Sequence, residues 1–477
     1  MRWSPLQGAI FDAIEDPNGG SLAIVARAGS GKTTTLLEGA RRVTPRGRMG
    51  IVAFARRSKE RVIDAGAPSH FEVKTLHAMG LALLRSHNRS LRVDEDGSKL
   101  RDILDEECRD VSRGMREAVR RATFAAKTHL LSTVDELRTV LNRDDEVDLT
   151  AEEVRYAAEL VLRVLFICAE RDDLIDFADM VWLPVHLGLG ESRYRTLCVD
   201  EVQDLTGAQV MLTARVARGG RVFGFGDPAQ AIYQFGGADD DALGLLAGET
   251  AARSLPLSIS YRCPKAVVRE AQRIVPDIQS TEDAPDGLVV RGSNLRGVGI
   301  GDLVLSRTNA PLLRICLDFV RAGKPAYVAG KAFGEGLVAM LDRSKAATPH
   351  EFLRWLAAWE KREASKAEGD EKGIERAADR VACFAALAGD VATMRELRQR
   401  IERLFTVPRG GAIVCSTVHQ MKGEESDRVF LLADTFRAST SKIEADPAAY
   451  AGKEEANLLY VGITRARRAL HYVHGVR

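Results

Sequence analysis

Nowhere does the sequence hold an uninterrupted apolar run of the about 20 residues that a membrane-spanning helix needs, so no membrane partner is expected. Its start has no signal-peptide shape, because Arg2, Asp12, Glu15 and Asp16 interrupt any apolar core. Cysteine is sparse: seven residues, an odd number, with no C-x-x-C pair. That pattern argues against a disulfide framework and for reduced thiols in the cytoplasm. Nine histidines show no metal-ligand spacing, and His471 and His474 read as surface groups. Neither sign of charge is in excess, since 68 basic residues face 67 acidic ones. A site for a polyanion must therefore be a local patch. No internal repeat motif is visible. What remains is a globular composition, 45% apolar and 28% charged over 477 residues, enough for about three or four domains.

The most informative stretch is Ala26-Arg27-Ala28-Gly29-Ser30-Gly31-Lys32-Thr33-Thr34. The short apolar run Leu22-Ala23-Ile24-Val25 before it reads as a buried parallel strand, and Thr34 to Glu38 after it as a helix. A glycine-rich turn that feeds a helix N-terminus points unpaired backbone N–H groups at an anion. Gly29 and Gly31 allow close approach to phosphate. Lys32 is expected to reach the β- and γ-phosphates, and the Thr33 hydroxyl to ligate Mg²⁺. Ala26 stands where the general pattern has its first glycine.

Upstream, Ser4 and Pro5 mark a helix start. Gln7 lies one turn in, where its amide suits the edge of an adenine. Gly50 to Ala55 reads as a second buried strand with Phe54 at its C-terminal end, where ligands bind in open α/β sheets. Phe54, Thr75 and His77 suit a single strand of nucleic acid, with one stacking ring and two polar groups for phosphate. A core phenylalanine with polar turn residues is the alternative reading. From 88 to 187 the apolar spacing is helical, as at Leu100, Ile103, Leu104, Val111 and Met115.

The sheet pattern returns at Thr196-Leu197-Cys198-Val199, followed by Asp200-Glu201. Acids at a strand end are the expected partner of a phosphate loop: Asp200 to hold Mg²⁺, Glu201 to deprotonate the attacking water. Strand Arg221 to Phe225 leads into Gly226 to Phe235, where Gln230 suits sensing of the γ-phosphate and Tyr233 and Phe235 suit base stacking. A second α/β unit begins near 256, with strands around Val304, Val414 and Phe430. A helical insert of about three helices is expected over 333–407. Its charged stretch Glu363 to Lys372 lacks large apolar residues and is expected to be a mobile loop.

In this order the motifs resemble the superfamily 1 DNA helicases of the UvrD/Rep/PcrA type. Gln7 matches the adenine-contacting glutamine and Ala28 to Thr33 motif I. Phe54 and Thr75-Leu76-His77 match motifs Ia and Ib, Asp200 to Asp204 motif II, and Gly226 to Phe235 motif III. Tyr261-Arg262-Cys263-Pro264 matches motif IV, Thr417 to Glu425 motif V, and Leu458 to Arg467 motif VI. The likeness runs from Gln7 to Arg467. Gly236 stands where many relatives carry arginine, and Glu424 replaces the usual leucine of motif V.

The resemblance implies an α/β fold of two RecA-like P-loop domains with mostly helical inserted subdomains. These would be 1A (1–87 and 188–255), 1B (88–187), 2A (256–332 and 408–477) and a short 2B (333–407). It implies ATP with Mg²⁺ in a cleft between 1A and 2A. Gln7, Ala28 to Thr34 and Glu425 would lie on the nucleotide, with Arg262 and Arg465 as arginine fingers. Phe54, Thr75, His77, Tyr233, Phe235, Thr417 and His419 would lie on DNA. The implied function is a 3′→5′ DNA helicase and single-strand translocase, acting as a monomer on single-stranded and duplex-junction DNA, with a role in replication or repair. Two rival readings stand beside it: a translocase that displaces bound proteins with little unwinding, and a DNA-independent ATP switch.

Overall fold

A computed structural model describes residues 3–142, 149–232, 241–366, 371–436 and 452–475. Contacts divide the chain into two units, 1–258 and 259–477. In the first, the strands are β1 (Leu22–Ala26), β2 (Met49–Val52), β3 (Phe71–Lys74), the short pair β4 (Arg92–Val93) and β5 (Leu174–Ile175), then β6 (Thr196–Val199), β7 (Arg221–Gly226) and β8 (Arg253–Leu257). The main sheet runs β3-β2-β6-β7-β1-β8, and every pairing in it is parallel. Strands β1, β2 and β6 are almost wholly buried, as expected for a parallel sheet with helices on both faces. One face packs on a cluster with Ile10, Ile14, Leu36 and Phe223, the other on one with Leu76, Leu83, Val210 and Leu246.

The helices of this unit are α1 (Pro5–Glu15), α2 (Lys32–Arg42), α3 (Arg56–Asp64), α4 (Leu76–His87), α5 (Ser98–Glu107), α6 (Arg113–His129), α7 (Val134–Asn142), α8 (Ala151–Glu170), α9 (Asp179–His186), α10 (Gly207–Val216) and α11 (Ala242–Thr250). Helices α5 to α9 build a core of their own around Ile103, Val119, Val161 and Trp182. Helix α4 meets α9 at Gly80, where a Cβ would stand 1.7 Å from the Met180 carbonyl oxygen. Only a glycine permits that approach.

The second unit holds β9 (Ile259–Ser260), β10 (Gln279–Ser280), β11 (Leu288–Ser293), β12 (Leu303–Ser306), β13 (Ala326–Val328), β14 (Ile413–Thr417), β15 (Ser426–Leu432) and β16 (Ala466–Val473). Its sheet runs β11-β16-β15-β12-β14-β13, again with parallel pairings. Its helices are α12 (Lys265–Ala271), α13 (Ala310–Arg321), α14 (Lys331–Ser344), α15 (Pro349–Lys366), α16 (Glu371–Ala388), α17 (Met394–Leu404) and a last helix, Gly452–Ile463. Two expectations are corrected here. Residues 331–404 form four helices rather than three, and they share one core with the sheet, where Phe352, Phe384 and Leu397 pack in the same cluster as Val304 and Phe430. The charged stretch Glu363 to Lys372 is no loop at its flanks: it closes α15 and opens α16, with 367–370 outside the described residues. No helix among the described residues is long and apolar enough to cross a membrane, and all seven cysteines are free and buried.

Candidate functional site

The C-terminal ends of β1, β6 and β7 bring three segments of the first unit together: the loop after Ala26, the acid pair after Val199, and Asp227 to Gln230. Gly29 and Gly31 adopt left-handed backbone with φ of 73° and 75°, which turns the chain into α2. No side chain caps that helix, so its first N–H groups face the loop. The buried Ser30 hydroxyl lacks a hydrogen-bond partner. Such an orphan suits an anionic ligand in the loop.

Gln7 is buried beside this loop. Its carbonyl accepts from the Ser4 N–H at 3.0 Å, within a capping box, and its amide nitrogen donates to Thr35 Oγ1 at 3.0 Å. The helix start read from Ser4-Pro5 thus also fixes where Gln7 points.

Beyond β6, Thr33 Oγ1 donates to Asp200 Oδ2 at 3.1 Å, and the Lys32 ammonium pairs with Glu201. Glu201 has φ 54°, a left-handed backbone that costs a non-glycine residue about 1–3 kcal/mol and recurs at functional sites. The buried Gln203 holds its carboxylate. The Asp227 N–H can only donate, so it fixes Gln203 Oε1 as its acceptor at 3.0 Å, and Gln203 Nε2 donates to Glu201 Oε2 at 2.5 Å. Asp227 in turn accepts from Gln230 Nε2 at 2.7 Å and Arg27 Nη1 at 3.0 Å. Glu201, the loop lysine and Gln230 therefore sit in one hydrogen-bonded chain.

Burial, and then the charge of Glu201, push the Asp200 carboxyl up to about 6. Burial alone would lower the Lys32 pKa, but Glu201 and Asp200 outweigh it and raise it. A divalent cation would relieve the crowded carboxylates, and the hydroxyl and carboxylate of Thr33 and Asp200 are hard oxygen donors of the kind Mg²⁺ takes. Among the described residues no group of three or more His, Cys, Asp or Glu side chains could hold a metal. The fit is thus to an ion completed by water and phosphate oxygens, as Mg²⁺ usually is.

The DNA candidates of the first unit lie at neighbouring strand ends. Phe54 is half-buried against the sheet core. Thr75 caps α4, its hydroxyl accepting from the Ala78 N–H at 3.3 Å. His77 stacks on Phe177, with ring centroids 3.9 Å apart and planes 20° apart, and Phe177 is 64% exposed. Sequence reading missed Phe177. Its only local signal is an aromatic residue between two acids at a helix start, Asp176-Phe177-Ala178-Asp179. Tyr233, Phe235 and Gly236 lie outside the described residues.

In the second unit, Arg262 pairs with Glu425, and its Nη1 donates to the Thr464 carbonyl at 3.4 Å. Arg465 is 1% exposed; its Nε donates to the Val461 carbonyl at 2.9 Å and its Nη1 to that of Glu424 at 3.2 Å. Arg262, Glu425 and Arg465 thus converge. Thr417 ends β14, with its hydroxyl accepting from the Gln420 N–H at 3.4 Å, and His419 follows in the turn.

Residues 6–248 match the UvrD/REP helicase N-terminal domain, and residues 343–474 match the UvrD-like helicase C-terminal domain. The first span carries the phosphate loop, the acid pair and Gln230. The second carries Thr417, His419, Glu425 and Arg465, while Arg262 falls between them. Comparison with curated proteins gives no match.

Proposed function

Because the chain belongs to the UvrD/Rep helicase family, by the match over 6–248 and 343–474, we propose that it is an ATP-driven motor moving 3′→5′ on single-stranded DNA and unwinding duplex ahead of it. The carrying observation is the joined chain Lys32–Glu201–Gln203–Asp227–Gln230 around the phosphate loop. In the same unit, the turn before α9 presents an exposed aromatic ring, Phe177, stacked on His77 of α4.

In this reading Ala28 to Thr34 wrap the phosphates, Gln7 reads the adenine edge, and Thr33 with Asp200 would hold Mg²⁺, which supplies charge neutralisation on the phosphates. Glu201 takes the proton of the attacking water, with its carboxylate aimed by Gln203. Gln230 senses the γ-phosphate through its tie to Asp227. Arg262 and Arg465 stabilise charge on the transferring phosphoryl group, and Glu425 lies near the nucleotide and orients Arg262. Phe54, Thr75, His77, Phe177, Thr417 and His419 grip the strand, with Tyr233 and Phe235 as further stacking rings. The motor acts as a monomer on single strands and duplex junctions in the cytoplasm, in replication or repair. The polarity rests on the resemblance of Ala231 to Phe235 to the 3′→5′ branch.

The test is single-turnover translocation on oligonucleotides labelled at one end. Signal change from a 5′ label supports the proposed direction, and arrival at a 3′ label overturns it. Running strand separation beside displacement of a bound protein distinguishes a helicase from a translocase that mainly clears proteins.

A further inference from the structure

The turn that carries the exposed Phe177 is held by a cluster of four charges, three of them buried. Lys99, Lys127 and Asp179 are at most 2% exposed, and the Asp176 side chain is 18% exposed. Lys127 Nζ bridges Asp176 Oδ2 at 2.8 Å and Asp179 Oδ1 at 2.7 Å. Lys99 Nζ meets Asp179 Oδ2 at 2.8 Å and the Cys168 carbonyl at 2.8 Å. The two aspartates also bracket the turn: the Asp176 N–H donates to Asp179 Oδ2 at 3.1 Å, and the Asp179 N–H to Asp176 Oδ1 at 2.7 Å. Phe177 and Ala178 are the two residues inside that bracket. Side chains from α5 and α6 and a carbonyl from α8 thus hold one short turn.

Such a cluster is a poor source of stability, because desolvation of buried charges offsets most of their attraction. What it does supply is geometry: two lysines fix both ends of a turn whose middle residue faces solvent. An exposed ring on a loose turn would sample many directions. Here the ring has its inner face on the His77 imidazole and most of its surface in water. Burial holds the His77 pKa down to about 4, so at neutral pH the imidazole is an uncharged plate behind Phe177 rather than a cation for phosphate.

We propose that Lys99, Lys127, Asp176 and Asp179 form a positioning device that holds the Phe177 ring against His77, with its outer face presented for stacking on a base of single-stranded DNA. The DNA part rests on the function proposed above; the positioning part does not. None of the four cluster side chains touches the phosphate loop or its acids in this arrangement. They act through Phe177 and are positioning residues.

The test uses the full chain with the charge-balanced pair K127M/D176N, which leaves Lys99–Asp179 intact, and with D176N alone as a milder variant should the pair fold poorly. His77 is titrated by NMR without DNA, and oligo-dT affinity is read by fluorescence anisotropy. With the ring released, the His77 pKa should rise from about 4 towards 6.5, and oligo-dT affinity should fall roughly five- to a hundredfold, the loss of about one base stack. ATP hydrolysis without DNA should be unchanged. Adding either substitution to F177A should weaken binding no further, since the cluster acts through that ring. A His77 titration that stays near 4 together with unchanged DNA affinity overturns the proposal. Additive losses on F177A overturn it as well. A shifted His77 titration with no affinity change in F177A upholds the positioning and overturns the stacking role, and with it this part of the DNA reading.

Discussion

The Lys32 ammonium and the Glu201 carboxylate form an ion pair across the phosphate loop. The group expected to clamp phosphate therefore rests on the group expected to take the water's proton. A bound phosphate competes for Lys32 and would release Glu201 towards the water. K32A should abolish hydrolysis by removing the clamp. E201Q should keep nucleotide affinity and lose about two to four orders of magnitude in turnover, because an amide cannot accept the proton. Equilibrium binding of a fluorescent nucleotide, beside steady-state kcat, separates the two. E201Q turning over at the normal rate would remove Glu201 from the chemistry.

The two arginines of the second unit should act alike on turnover and differ in their effect on stability. R262A and R465A should each lower kcat by about a hundredfold or more, with smaller effects on KM, as expected for groups acting on the transition state. Arg465 also donates to two carbonyls from a buried position, so R465A should lower the melting temperature more than R262A does. Wild-type hydrolysis by both variants in the presence of DNA would contradict their role.

Much of the candidate site was legible because its signals are local. Glycine and lysine spacing marks the loop between Ala26 and Thr34, and two acids after an apolar strand mark Asp200 and Glu201. The links between them were not legible. Gln203 meets Asp227 only because β6 and β7 lie side by side, and Phe177 meets His77 only because α4 packs on α9 through Gly80. The misreading of Glu363 to Lys372 has another cause. Large apolar residues are what a helix needs to pack, whereas alanine, glutamate and lysine are good helix formers without them. Lack of a core-facing stripe in this stretch therefore does not stop its flanks from closing α15 and opening α16.

Packing at Gly80 gives a stability prediction. In G80A the new Cβ would meet the Met180 carbonyl oxygen at 1.7 Å, so α4 and α9 must separate. The expected cost is about 1–3 kcal/mol, as for other overpacked sites, read by denaturant unfolding. Unchanged stability would show that the two helices are not in contact there.

Glu72 gives a pH prediction. Burial alone would raise its pKa, but Lys74, Arg48 and the Tyr194 hydroxyl outweigh this and lower it to about 2. The unfolded carboxylate takes its proton nearer 4.5. The native state thus binds fewer protons between these values, and the stabilisation from Glu72 is fully present above about 4.5 and is lost as pH falls towards 2. E72Q should melt a few degrees below wild type at pH 7, and the gap should narrow as pH falls through that window. A gap constant with pH would show that the ionised form is not the one held.

The most direct test of a DNA-driven motor is the rate of ATP hydrolysis with and without single-stranded DNA, measured on the full chain with Mg²⁺. The expected result is a low basal rate that rises at least tenfold, about 1.4 kcal/mol off the barrier, and saturates with oligo-dT, with the rise abolished in K32A. A rate that is the same at every DNA concentration would contradict the motor and favour an ATP switch.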